Sequence, residues 1–199
     1  MLEMNFVPLM TEIAEKSIRK LSESALNKVN EKIFDKPISD FDKPLAVTYD
    51  NLKHCPLEGN GGKWSGERGN SDWYPDIDAK PGKFNMEGRT WQEILTQYGI
   101  DHITFYDGEP EFSEISKGSV EIKQFSDKRT DNFDKADIEL ANQKGCSPQE
   151  VANWRKENGF TWHECKDMKT MQKVPGIIHN NITHSGGISE IKKGYGDNR

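Results

Sequence analysis

Phe160-Thr161-Trp162-His163-Glu164-Cys165, a polar break at Lys166-Asp167-Met168, and Lys169-Thr170-Met171-Gln172-Lys173-Val174 form the stretch on which the fold turns. Both flanks are rich in aromatic, β-branched and apolar residues, and the break between them is a turn, so the pattern predicts an antiparallel hairpin. Pro175 then opens a short helix holding Ile177, Ile178 and His179, and a loop leads to His184-Ser185-Gly186-Gly187. Hairpin followed by helix is the ββα order. The expected fold class is α+β, with a ββα-metal core and flanking helices.

Three of the chain's five histidines fall between positions 163 and 184. His163 and Glu164 end the first strand, while His179 and His184 lie on or just past the helix. This places the four side chains within reach of a single ion where hairpin and helix meet. Imidazole and carboxylate suit zinc and other first-row cations, and magnesium if water completes the shell. The five-residue step from His179 to His184 is awkward on one continuous helix, but comfortable if the helix breaks near Asn180-Asn181. Such a site suits phosphodiester hydrolysis, in which the cation offsets developing charge and a His or Glu takes a proton from water. By spacing alone, histidines used for packing and hydrogen bonding remain an open alternative.

Working outward, Ser147-Pro148-Gln149-Glu150 is a helix start: Ser caps, Pro takes the first helical position and Glu closes the capping box. That helix is expected to run to about Glu157, before Asn158-Gly159. Asn132 to Gln143 reads as a second helix. Further upstream, Thr90 caps a short helix from Trp91 to Tyr98 that Gly99 ends. Ile103 to Tyr106 reads as a strand before an Asp107-Gly108 turn, and Val120, Ile122 and Phe125 suggest another. Residues 8 to 34 carry an amphipathic helical pattern. Residues 37 to 63 look like a connector punctuated by Pro37, Pro44 and Pro56. The expected organisation is therefore a helical segment and linker at 1–60 and a catalytic domain at 61–199.

The composition narrows the classes. Charged residues make up 30 % of the chain and apolar ones 33 %, with enough aromatic residues (10 %) to argue against disorder. No apolar run is long enough to span a membrane, and the N-terminus, MLEMNFVPLMTEIAEK, does not read as a signal peptide. Three widely spaced cysteines, Cys55, Cys146 and Cys165, imply neither a disulfide framework nor a metal clip, and are expected as small buried fillers. The net charge of −6 argues against non-specific coating of nucleic acid. From Val151 to Arg199 there are eight Lys or Arg against five Asp or Glu, giving +3 there and −9 elsewhere. A basic tail can hold an anion while the acidic body meets a protein partner.

The residues quoted carry a resemblance. Thr161-Trp162-His163-Glu164, Thr170-Met171-Gln172, Val174-Pro175, His179 and His184-Ser185-Gly186-Gly187 together resemble the HNH/endonuclease VII superfamily of toxin nucleases. The similarity is to its colicin-DNase/tRNase-like, Trp-His-His branch. Gly66-Glu67-Arg68-Gly69-Asn70-Ser71, and Gly145-Cys146-Ser147-Pro148 leading to Trp154-Arg155, resemble elements that accompany this C-terminus, so the likeness spans roughly residues 62 to 193. It implies an endonuclease using one divalent ion (Zn, Mg, Mn or Ni) to hydrolyse phosphodiester bonds, in DNA first and in RNA, tRNA included, as the alternative. It also implies a C-terminal toxin module of a bacterial polymorphic or contact-dependent inhibition system. Such a module is attached to a larger delivery protein, acts in the target-cell cytoplasm and is neutralised by an immunity protein.

Matched residue by residue, His163, His179 and His184 take the family's ligand positions. Glu164 departs from the pattern, which has a second histidine, the general base, at that place. Either Glu164 is the base, or it binds the ion and leaves His163 as base. Glu67 and Arg68 read either as a phosphate-holding pair in the cleft or as a structural pair beneath it. His54 and His102 lie outside the pattern and read as surface or packing residues. The five tryptophans read mainly as core. Lys166, Lys169, Lys173, Lys192 and Lys193 surround the motif and could contact phosphates. A rival of another class is a non-catalytic module whose ligands close a structural zinc site; it requires a fourth protein ligand.

Overall fold

The computed structural model describes residues 52–196, with side chains through Lys193, and these residues lie within one compact unit. The helix expected at 8–34 and the first part of the connector fall outside the described residues. In chain order the elements are β1 (Gly62–Trp64), β2 (Asp72–Pro75), α1 (Trp91–Tyr98), β3 (Ile103–Tyr106), β4 (Glu109–Pro110), a 3-10 turn (Ser113–Ile115) and β5 (Ser119–Glu121). They continue with α2 (Arg129–Lys144), α3 (Pro148–Glu157), β6 (Phe160–Glu164), β7 (Thr170–Pro175), α4 (Gly176–His179) and α5 (Gly187–Gly196). The fold is α+β, as expected.

Two antiparallel sheets organise it. One has the order β1-β2-β3-β4, the other β5-β7-β6. The hairpin pairs Thr161 with Val174, His163 with Gln172 and Glu164 with Met171. This register sends alternate side chains of β6 to opposite faces. Trp162 and Met171 pack with Val120, Ala136, Leu140 and Val151, so α2 and α3 cover one face of the hairpin. Val174, Ile177, Ile178 and Ile182 join Trp64, Trp73, Trp91, Phe105 and Phe112 in a second core shared with the first sheet. The hairpin is thus a wall between two cores, and each face is fixed by burial.

Local chemistry sets the element ends. Thr90 and Ser147 form complete capping boxes with Glu93 and Glu150, and Gly99 closes α1 in the left-handed conformation. A buried network ties α2, α3 and β6 together. Asp137 Oδ2 accepts from Arg155 Nη2 at 2.8 Å, and Asp137 Oδ1 accepts from Trp162 Nε1 at 2.8 Å. Every partner is buried, so none of these charges is left uncompensated.

Several details differ from the sequence reading. β1 overlaps the end of the expected connector and β2 falls where no element was expected, because three- and four-residue strands are too short to show a period. α2 begins three residues early, at Arg129, with no side-chain cap to mark its start. α5 was not anticipated. Cys55 is buried, Cys165 half-buried and Cys146 exposed, so the filler reading does not hold for Cys146, which lies between α2 and α3. Trp64, Trp73, Trp91 and Trp162 are core residues, while Trp154 is 41 % exposed with Lys173 Nζ 4.2 Å from its ring centre. Among the described residues no helix is long and apolar enough to cross a membrane.

Candidate metal centre

β6 delivers His163, α4 ends on His179, and the loop beyond α4 brings His184 back. Asn180 and Asn181 end the helix between the last two. The Asn181 side-chain amide donates to the carbonyls of Ile177 and Lys83, at 2.7 Å each, turning the chain away from the helix axis. The return is close-packed. A Cβ on Gly186 would stand 2.7 Å from the Glu164 carbonyl oxygen, and one on Gly187 would stand 2.7 Å from that of Cys165. Only glycine lets this strand of chain lie so near β6, which explains why two glycines follow His184.

The three imidazoles converge. Their ring centres lie 5.3 Å (163–179), 5.0 Å (163–184) and 4.9 Å (179–184) apart. Phe112, 1 % exposed, packs against all three and meets His163 edge-on at 5.1 Å. One nitrogen from each ring comes within 4.8 Å of the others. His163 Nδ1 lies 3.3 Å from His179 Nε2. Two nitrogens bound to one tetrahedral ion at ~2.0–2.1 Å would be separated by roughly that same distance, ~3.3 Å. The His184 Nδ1 lies 2.7 Å from the Ile182 carbonyl oxygen. A carbonyl only accepts, so this nitrogen carries the proton and Nε2 is bare. The distal atoms, His163 Nε2 and His179 Nδ1, are buried and make no hydrogen bond.

Electrostatics keep His179 and His184 uncharged. Burial, then the adjacent imidazoles of His184 and His163, hold the His179 pKa well below its ordinary value. Burial and His163 push that of His184 down to about 3. Neutral imidazole is the form that ligates metal. Three converging ring nitrogens fit a divalent first-row cation.

Glu164 lines the same pocket of about 290 Å³ but faces the helix side. Its Oε1 accepts from Asn132 Nδ2 at 2.8 Å and its Oε2 from Arg129 Nε at 2.9 Å. The carboxylate is 3 % exposed, whereas the Arg129 side chain is 58 % exposed at the rim. Cys165, the nearby sulfur, does not join the three histidines; it groups with Glu109 and the far side of His163. Among the described residues no fourth side chain completes the trio.

The structure separates the other candidates. Arg68 donates from Nη2 to the Leu52 and Cys55 carbonyls at 2.8 and 2.7 Å, and from Nε to that of Pro56 at 3.1 Å. Glu67 is exposed, and neither residue lines the histidine pocket. Arg68 is engaged in pinning the 52–56 segment, and no Glu67–Arg68 ion pair forms among the described residues. Most of the flanking lysines are committed: Lys166 to Asp107, Lys169 to Glu121 at 3.0 Å and Lys193 to Glu190 at 2.9 Å. Lys173 is buried against Trp154. The rim cations are instead Arg129 and Lys83, and His54 stands beside them on the pocket wall. His54 is therefore a site-lining residue and not merely a surface one, whereas His102 pairs with Asp101 and Asp72 away from the pocket. Sequence offers no signal for Arg129, Lys83 or Phe112, since each reaches the site from a different element.

Residues 102–186 match the family model of the DNase/tRNase domain of colicin-like bacteriocins. The match spans β3 to the Ser185-Gly186 turn and includes all three histidines and Glu164. No curated protein matches the chain.

Proposed function

We propose, from the premise that residues 102–186 are a DNase/tRNase domain of the colicin-like bacteriocin type, that this nuclease toxin cleaves nucleic acid with one divalent cation held by His163, His179 and His184. The observation that carries the reading is the three-imidazole cluster with its ligating nitrogens bare and no fourth protein ligand beside it. A structural zinc site is filled by four protein ligands, whereas a catalytic one keeps a position for water and substrate. The non-catalytic zinc module is disfavoured on that ground.

The ion would supply Lewis-acid stabilisation of charge on the scissile phosphate. The chain's own groups do the rest. Arg129, exposed at the rim and held through Nε by Glu164, keeps its terminal Nη groups for phosphate oxygens, a geometry guanidinium matches bidentately. Lys83 adds a second cation at the same mouth. With three imidazoles directed at the ion, Glu164 is the group that accepts the proton from the attacking water: each of its oxygens is already hydrogen-bonded but retains a second lone pair. A second base is favoured by one observation, that the exposed imidazole of His54 lines the same pocket. Loss of activity in E164Q with retention in H54A assigns the proton to Glu164, and the reverse pattern assigns it to His54.

DNA is the proposed substrate, with tRNA the competing polynucleotide. In this reading the domain is delivered by a larger parent protein into a target-cell cytoplasm during interbacterial competition. A cognate immunity protein meets its acidic body with a basic patch. The test is incubation with plasmid and with total tRNA, with and without chelator, alongside H163A and H179A. Cleavage that survives chelation, or that both variants retain, removes the mechanism. An immunity complex whose association is insensitive to salt removes the electrostatic docking.

A further inference from the structure

The far side of His163 carries its own partner. His163 is 1 % exposed, and its Nε2 is buried with no hydrogen bond. Glu109 Oε1, on β4 of the other sheet, stands 3.4 Å from that atom. The same carboxylate oxygen accepts the Lys166 backbone N–H at 2.7 Å, which fixes it against the turn after β6. Glu109 thus bridges the short edge strand of one sheet to the ligand-bearing strand of the other.

We infer that Glu109 is a positioning residue that accepts a hydrogen bond from the Nε2–H of His163, holds its ring in the tautomer with Nδ1 bare, and turns that nitrogen toward the other two imidazoles. The inference rests on the metal-site reading above. A neutral imidazole carries one proton. If Nδ1 faces the ion, the proton sits on Nε2, in a buried place where an unmet donor is costly. Metal-bound histidines commonly pass that second N–H to a carboxylate or a backbone carbonyl, which fixes the ring and raises its basicity. His184 already does so through the Ile182 carbonyl. Glu109 is the corresponding acceptor for His163. Cys165, the third member of this second group, has its thiol pKa pushed far up, first by burial and then by the Glu109 charge. It stays protonated and is not part of the inference.

The experiment measures Zn²⁺ affinity by competition with a chromophoric chelator, and imidazole tautomers by long-range ¹H–¹⁵N spectra of the metal-free protein. Wild-type protein is expected to show His163 protonated at Nε2. E109A should weaken Zn²⁺ binding by about 10–100-fold, with E109Q recovering part of the loss because its amide oxygen still accepts. D107N, which loosens the Lys166 side-chain tie to the same turn without touching His163, should leave affinity unchanged, as should C165S. Wild-type affinity in folded E109A or E109Q overturns the inference, and so does a His163 proton on Nδ1. A loss in C165S as large as that in E109A also overturns it, because the second group would then be binding the metal. If wild-type protein binds no Zn²⁺, the metal-site reading falls, while the tautomer spectra still decide the Glu109 contact by themselves.

Discussion

Two regions of this molecule present charged or ring-nitrogen side chains that sequence singles out, and the structure treats them in opposite ways. In the Glu67-Arg68 loop before β2, the guanidinium donates to three main-chain carbonyls and is spent on holding the 52–56 segment. Around α4, His163, His179 and His184 bring one nitrogen each together in a common pocket and leave two further nitrogens unmet. A polar group whose bonding capacity is used inside the protein is part of the scaffold. Ring nitrogens that converge from three separate positions need an explanation; at the histidine cluster the explanation proposed is a cation.

That contrast can be broken most forcefully at the cluster. H179A is expected to lower nuclease turnover by on the order of 10³-fold, the scale of losing a main electrostatic stabiliser, while secondary structure measured by circular dichroism is kept. Activity within tenfold of wild type would mean that the convergence is mere packing. Next in size, R129A should lower kcat/KM by about 10²-fold, with R129K recovering only part because a lysine cannot bind phosphate bidentately. Equal activity of R129A and wild type would show that the exposed guanidinium serves Glu164 alone.

The scaffold region should respond through stability. R68A is expected to cost about 1–3 kcal/mol, by leaving the Cys55 carbonyl without its donor and unpinning the 52–56 segment, while activity per folded molecule stays at the wild-type level. A urea unfolding midpoint beside a normalised rate checks both halves, and a selective loss of rate would return Arg68 to the cleft. The smallest effect expected is acid sensitivity of the chelated protein. His179 and His184 titrate below their unfolded values, so the unfolded chain binds more protons in that range. Their contribution to stability is therefore full above about pH 6.5 and is lost as pH falls toward the folded value of about 3 for His184. Urea midpoints from pH 7 to pH 4 in chelator should fall more steeply for wild type than for H184N, and parallel curves would contradict the assignment.

Much of the local architecture was legible in advance. The capping boxes at Thr90 and Ser147, the left-handed Gly99 and the β6–β7 hairpin follow from patterns spanning only a few residues. The sequence reading brought His163 and Glu164 to one ion, but adjacent strand positions face opposite ways, and Glu164 is turned to Arg129 and Asn132 of α2. Arg129 was hidden because α2 lacks a capping side chain and its start could not be placed. β1 and β2 were hidden because each is too short to alternate. Lys83, His54 and Phe112 reach the pocket from loops whose paths no periodicity encodes. The flanking lysines were conspicuous by charge alone, and most are engaged in ion pairs or cation–π contacts with neighbours that sequence distance conceals.

By itself the sequence determined the ββα order and the placing of His163 on the hairpin with His179 and His184 on or just past the helix, because these depend on local preference. Tertiary structure alone decided that Arg68 is scaffold, that Arg129 meets Glu164 35 residues away, and that Glu109 from the other sheet faces His163. Hydrogen-bond partners separated by dozens of residues are chosen by how two cores pack on either side of one hairpin, and that packing is a property of the whole chain.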